Sequence, residues 1–353
     1  MRQPPHPPHG EAAALVTDPH GRVLLVPAAD GTLALPTGPT GDRSPPAAAR
    51  HAVRAATGLT PRLGPTLLSD WRPTGAGGTI RHVFDAGEIS ANAARRLTDR
   101  AITFLAPEAL AQALPPEEVG RVRAALRARR TGTPAYTERG HPPPVLDAVT
   151  RFGIAPAVQS AGAWTWRPGP VPAELPVRQA WVWLFVPDGR VVAFVSATGL
   201  FGLPGGTLEP RDGGDAVAAA VREVREEVNS EMTPPVHLGY LVDRTPDGPV
   251  VARVRLAARA TAVRPAARDP HTGTVHRRLL VPPDLVPELT GAGPDGEPQA
   301  RAAVAAAAGW GLPDGAGAGV EEIPAAGIAP ASLCPPPRRR PAGRPPGTRE
   351  TRA

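Results

Sequence analysis

Glu223, Glu226 and Glu227 are the residues of this chain best spaced for chemistry. They lie in LPGGTLEPRDGGDAVAAAVREVREEVN, from Leu203 to Asn229, at spacings of three and four from Glu223. At about 100° per residue, a helix puts the three carboxylates on one face within roughly a 100° arc. Like charges held that close repel, which costs stability unless a cation sits among them. Hard divalent ions such as Mg²⁺ take carboxylate oxygen and keep positions open for water and phosphate, so a diphosphate suits the remaining coordination. Taken alone, REVREE is more often the solvated face of an amphipathic helix. The LPGG turn and the strand pattern ahead of it favour a site instead.

The elements that must hold these groups follow from the same segment. Val217, Val221, Val224 and Val228 form one apolar stripe, predicting a core-facing helix whose other side carries the glutamates. Asp215 is suited to cap its N-terminus. Gly205 and Gly206 permit tight turning and close backbone approach before it.

These residues resemble the signature box of the Nudix hydrolases. Leu203, Pro204, Gly205 and Gly206 match the opening turn, and Arg222, Glu223, Val224, Glu226 and Glu227 match the REUxEE core. The intervening loop is about two residues longer than the family's. Aligned from the helix end, the family's first glutamate falls on Gly214, which leaves Asp212 or Asp215 as substitutes, and Asn229 stands where glycine is usual. The resemblance implies an α/β/α sandwich with a mixed sheet and Mg²⁺-dependent cleavage, with Mn²⁺ as a substitute, of a nucleoside diphosphate linked to another moiety. It implies Glu223, Glu226 and Glu227 as metal ligands, with the Gly205 carbonyl completing the shell. It further implies Arg222, Glu223 and Glu226 as the catalytic set, Arg222 orienting a glutamate, and Gly206 and Glu209 against the substrate. The general base is a box glutamate or a residue from another loop. A non-hydrolytic nucleotide-binding regulator on the same fold is the alternative. Pro246 stands where proline occurs in ADP-sugar-type members, although RTPDG is also an ordinary hairpin turn.

The first half repeats the organisation of the second. Gly21, Arg22 and Val23 precede Gly189, Arg190 and Val191 by 168 residues, as Leu35, Pro36 and Gly38 precede Leu203, Pro204 and Gly206. Thr57 and Gly58 match Val228 and Asn229 at an offset of 171; Leu63 and Gly64 match Leu238 and Gly239, and Leu105 and Pro107 match Leu280 and Pro282, at 175. Ser44 and Pro45 start the corresponding helix. At the offset of 171, His51 replaces Arg222, and Ala52, Ala55 and Ala56 replace Glu223, Glu226 and Glu227. Alanine keeps a helix but cannot hold a cation, so the first copy reads as a catalytically silent Nudix-like domain.

Two tandem α/β domains are therefore expected: residues 1–130 and 178–310, joined by a proline-rich linker at 131–177 and followed by a disordered tail at 311–353. Trp164 and Trp166 fall in the linker and read as a structural loop pair. A pseudo-dimer of the two copies, or a homodimer, is the expected assembly.

Of the net charge of +6, the stretch from Ala331 to the end supplies +5 through Arg338, Arg339, Arg340, Arg344, Arg349 and Arg352 against Glu350. The rest is near neutral, which argues against a specific nucleic-acid partner. All 39 basic residues are arginine, excluding a Walker A loop and a Schiff-base lysine. Cys334 is the only cysteine, so neither an internal disulfide nor a cysteine-rich zinc site is expected; the histidines, His6 and His9 among them, are scattered. Gly291, Gly293 and Gly296 spell GxGxxG, but follow no strand of a βαβ unit and read as a surface loop. No long apolar run suggests a membrane span, and the start lacks a secretory pattern, so a cytoplasmic protein with a small nucleotide substrate is expected.

Overall fold

The computed structural model describes residues 9–28, 30–74, 77–97, 102–156, 164–244, 248–292 and 295–333. His6, Pro246, Gly293, Pro294, Cys334 and the arginine-rich tail lie outside them. The chain divides into two compact units, residues 1–147 and 148–353.

The first unit runs β1 (His9–Thr17), β2 (Val23–Pro27), β3 (Leu33–Ala34), β4 (Thr37–Pro39), α1 (Pro45–Thr57), β5 (Thr66–Thr74), β6 (Gly77–Glu88), α2 (Ala91–Leu97), β7 (Thr103–Leu105), α3 (Leu110–Ala113), α4 (Pro116–Thr131) and β8 (Ala135–Glu138). Helix α5 (Pro144–Phe152) crosses the boundary. The second runs β9 (Trp164–Pro168), β10 (Val177–Phe185), β11 (Val191–Val195), β12 (Phe201–Gly202), β13 (Gly205–Thr207), α6 (Ala216–Val228), β14 (Ser230–Met232), β15 (Val236–Asp243), β16 (Val251–Val263), β17 (Arg277–Val281), α7 (Val286–Leu289), α8 (Gly296–Gly309) and β18 (Glu321–Glu322).

Each unit is built on a mixed sheet, the α/β class expected. The first has the order β3-β2-β1-β6-β5-β8, with β4 on β1 and β7 on β2. The second has β18-β17-β11-β10-β16-β15-β9, with β12 on β11, β13 on β10 and β14 on β16. The central pairs β1/β6 and β10/β16 are parallel.

The strand registers follow the sequence repeat. Ala12 pairs with Gly38 and Ala13 with Thr37, as Ala180 pairs with Gly206 and Trp181 with Gly205; both strands keep the offset of 168. Helices α1 and α6 each span 13 residues and end on a left-handed residue, Gly58 or Asn229. Further on, the pairing revises the alignment. Val83 pairs with Leu68 as Arg255 pairs with Gly239, so β5 and β15 are 171 apart, not 175. Val23 pairs with Leu105 and Val191 with Val281, which sets β7 and β17 at 176. Register answers to which side chains face the core, and the Leu-Gly dipeptides at 63 and 238 do not share it.

In the second unit, Ala220, Val224 and Val228 of α6 pack on Ala180, Val182 and Leu184 of β10 and on Val254, Leu256 and Ala258 of β16. The buried stripe is rotated from the all-valine one expected: Val217 is exposed and Val221 only partly covered, while Ala219 and Ala220 are fully buried. Alanine lets the helix backbone lie close to the sheet, so the small residues take the contact line. Alternation along β10 turns Trp181 and Trp183 to the opposite face, which α8 covers through its contacts with β15 and β16.

Two boundaries differ from expectation. The 131–177 segment supplies a strand to each sheet, β8 beside β5 and β9 beside β15, so Trp164 and Trp166 lie in a strand. The chain after 310 also contributes: β18 pairs with β17, and Val320, Ile323 and Leu333 are buried. No helix among the described residues is long and apolar enough to cross a membrane.

Candidate functional site

The LPGG turn is tight: Gly205 is required by the backbone around it, and a side chain at Gly206 would have to displace the Glu223 carboxylate. Gly205 has φ 155°, and a Cβ there would fall 2.4 Å from the Ala180 carbonyl oxygen and 2.5 Å from Trp181 Cα. A Cβ on Gly206 would meet Glu223 Oε1 at 2.2 Å. One glycine thus lets the turn press on β10, and the other lets α6 carry a carboxylate against it. Gly205 N donates to Glu227 Oε2 at 2.9 Å, fastening turn to helix.

The longer loop becomes a 3₁₀ turn at Pro210–Asp212, closed when Glu209 N donates to Asp212 Oδ2 at 2.7 Å. Gly213 and Gly214, both left-handed, then reverse the chain into the Asp215 cap, which accepts from Val217 N at 2.8 Å.

Arg222 is the hub of the site. Its Nε and Nη2 donate to the two oxygens of Asp212 at 3.1 and 3.0 Å. Nη1 donates to Glu223 Oε1 at 2.9 Å and Glu226 Oε2 at 3.0 Å, and Nη2 also reaches the Thr207 carbonyl at 3.0 Å. Of the two candidate substitutes for the missing glutamate, Asp212 therefore pairs with the arginine, and the hydrogen bond from Arg222 holds it below the usual carboxylate range. Asp215 is occupied with the helix end. Arg211, which the sequence reading passed over, sits on the rim with Nε 2.8 Å from Glu209 and Nη2 3.2 Å from Glu226.

Of the site residues expected from sequence, Glu209, Glu223 and Glu226 gather on Arg222, while Glu227 bonds to Gly205 and Gly206 lies against Glu223. The carboxylates do not close on a single point: among the described residues, no three or more His, Cys, Asp or Glu side chains are grouped to hold a metal ion. Arg222 lies between Glu223 and Glu226, and Glu227 turns to the Gly205 amide. Burial pushes Glu227 up to about 8, with the fields of Glu223, Asp269 and Glu226 adding to it. Burial also raises Glu223, against the opposing pull of Arg222.

Asp269 is a site neighbour that sequence reasoning missed. It accepts from the amides of His271 and Thr272 at 2.7 and 3.1 Å and lies 3.1 Å from His276 Nε2. DPHTG offers only a turn signal; nothing in it reveals that the loop brings a carboxylate near Glu227.

In the first unit, the positions that the offset of 171 sets against Arg222, Glu223, Glu226 and Glu227 carry no carboxylate. His51, Ala52, Ala55 and Ala56 line, with Thr37 and Gly38, an open cavity of about 500 Å³. A Cβ on Gly38 would touch only Ala52 Cβ, at 3.6 Å.

Residues 175–298 match the family model of the NUDIX domain. Among solved structures, the chain is similar to the MutT protein of Methanosarcina mazei Go1 at 21% identity, covering 36% of this chain and 96% of that one, with a TM-score of 0.30. It is similar to the Bacillus subtilis pyrophosphohydrolase BsRppH at 20% identity, covering 30% and 64%, TM-score 0.27. It is also similar to Shewanella oneidensis NrtR, solved with a 27mer DNA, at 19% identity, covering 35% and 62%, TM-score 0.30. The chain thus spans less than two thirds of the last two. No curated protein matches it.

Proposed function

We propose that the Nudix domain at residues 175–298 hydrolyses the phosphoanhydride of a nucleoside diphosphate linked to another moiety, in the presence of Mg²⁺. The observation that carries this reading is that one face of α6 sets Glu223 against Gly206 and Glu227 on the Gly205 amide, with Glu226 joined to Glu223 through Arg222. The donor set suits a hard cation, since oxygen is the only donor offered. Glu227 is largely buried, has a single amide partner and is pushed up to about 8, so this carboxyl group lacks a positive neighbour. Glu223, Glu226 and Glu227 would hold the ion, with the Gly205 carbonyl alongside. When bound, it polarises the diphosphate and lowers the pKa of an attacking water.

The chain's own residues supply positioning. Asp212 fixes the Arg222 guanidinium through two hydrogen bonds, and the guanidinium then fixes one oxygen each of Glu223 and Glu226. Orientation set in advance of the reaction is a large part of catalysis in phosphoryl transfer.

The test is product release from a panel of nucleoside diphosphate compounds with Mg²⁺, wild type against Glu226→Gln. Turnover by the wild type and a loss of at least about 100-fold in the variant support the reading. Ligand-dependent stabilisation without turnover overturns it in favour of a binding protein.

Arg211 bears on the same site. It is 58% exposed and engages Glu226 and Glu209, so it competes with a cation for those oxygens. An exposed pair of this kind is worth at most about 1 kcal/mol. Arg211→Gln is therefore expected to tighten Mn²⁺ binding by roughly two- to fivefold in calorimetry. Unchanged or weaker binding would show that Arg211 does not compete.

A further inference from the structure

The face of the second sheet turned away from α6 carries a guanidinium without a carboxylate partner. Arg255 of β16 is only 2% exposed. Its Nε donates to Gln299 Oε1 at 2.9 Å and its Nη1 to the Val254 carbonyl at 3.2 Å, while its Cζ lies 4.4 Å from the centre of the Trp181 ring. These contacts hold the group rigidly. They are all neutral, and among the described residues Nη2 has no hydrogen-bond partner.

The surrounding charges do not compensate it. Arg253, next but one along the strand, pairs with Asp243 at 2.6 Å and lies 4.6 Å over Trp164. From β9 and α8, Asp295 accepts from Trp166 N, and Glu297 faces the exposed Arg301. Burial and the nearby Arg253 charge draw Arg255 down to about 9, which leaves it protonated at neutral pH. A second donor is also unused: Trp181 Nε1 is buried with no hydrogen-bond partner among the described residues.

Buried charges in proteins are ordinarily paired, because desolvation is otherwise uncompensated. A methionine in place of Arg255 would fill similar space without that cost, so packing alone gives no reason for the cation. Two unmatched donors belonging to one stacked pair, with Arg255 Cζ 4.4 Å from the centre of the Trp181 ring and one of the donors charged, offer hydrogen bonds to an anion's oxygens.

We infer that Arg255 and Trp181 form an oxyanion subsite, in which a phosphate or carboxylate group of a ligand accepts hydrogen bonds from Arg255 Nη2 and Trp181 Nε1. The subsite needs no divalent ion. It touches the carboxylate site through Trp181, because Gly205 packs against Trp181 Cα and Cδ1. On the hydrolase reading, which this extension to substrate requires, the substrate class is a nucleoside diphosphate derivative bearing a further anionic group.

The experiment titrates the full-length protein in EDTA with inorganic pyrophosphate, inorganic phosphate and malonate, following tryptophan fluorescence and melting temperature. Saturable binding is expected for the wild type. The better of the phosphate and malonate arms identifies the group taken. Arg255→Met is expected to melt at or above the wild type and to bind at least about tenfold more weakly. Trp181→Phe keeps the ring, loses the donor and is expected to weaken binding about three- to tenfold. Should Arg255→Met fail to fold, Trp181→Phe decides alone. No saturable binding by the wild type, or variants that bind like it, overturns the subsite. Binding without turnover in the hydrolysis panel leaves the subsite standing and the hydrolase reading overturned; turnover without binding does the reverse.

Discussion

At pH 9 and without divalent cation, Glu227→Gln protein is expected to be more stable than the wild type, and at pH 4 the two should coincide. The folded-state pKa of Glu227 is about 8 against an ordinary 4.5. Between those values the folded chain keeps a proton that the unfolded chain releases. A carboxyl group raised in this way favours the fold at low pH and loses that contribution as pH rises through about 8. Glutamine is neutral throughout and can still accept from Gly205 N, so it removes the dependence. The difference corresponds to roughly 3–5 kcal/mol at high pH, to be read from denaturant unfolding across pH. Profiles that stay parallel would show that Glu227 ionises freely in the folded state. Saturating Mg²⁺ should raise the wild type at alkaline pH more than the variant, because the variant lacks one of the carboxylates that would gain a partner.

Arg222→Met is expected to lower stability at neutral pH by about 3–5 kcal/mol and to abolish turnover. The arginine is 11% exposed, and its partners Asp212, Glu223 and Glu226 are 4%, 13% and 16% exposed. Its removal leaves three poorly solvated carboxylates facing one another, a larger penalty than the worth of any one pair. Asp212, held low by Arg222, contributes stability above its ordinary range that is lost as pH falls through its folded value. The gap between wild type and variant should therefore narrow toward pH 3. Asp212→Asn separates structure from positioning: it should keep most of the stability but lower kcat more than it changes KM. A variant with wild-type kcat would remove Asp212 from the positioning role.

Much of the fold could be read from periodicity. The helix that carries the glutamates, its Asp215 cap and its counterpart starting at Pro45 lie where the sequence pattern puts them, because each carries its own pattern. Spacing on one helix decides which side chains share a face, so Glu223, Glu226 and Glu227 could be placed together on α6, while whether their oxygens meet could not. The site was hidden where a long-range fold decides proximity. Asp269 reaches Glu227 from a loop about forty residues further on, and the Arg255 stack on Trp181 depends on the parallel pairing of β10 with β16. The choice of Asp212 over Asp215 turned on a 3₁₀ turn that no pattern in EPRDGGD specifies. The linker was misread for a related reason: prolines mask an edge strand such as β9, whose partner β15 lies some seventy residues away.

The parallel central pairs impose an order of assembly on each unit. Ala12 meets His82, and Ala180 meets Val254, so neither sheet has its middle until a segment synthesised about seventy residues later arrives. During translation α1 emerges before β6 and α6 before β16, so the glutamate-bearing helix is made ahead of half the surface it must cover. Its apolar side stays exposed to the cell, and to chaperones, for the time taken to make β15 and β16. The docking of β16 beside β10 is therefore expected to be slow relative to local helix formation in α6, since the loop between the two strands must close first.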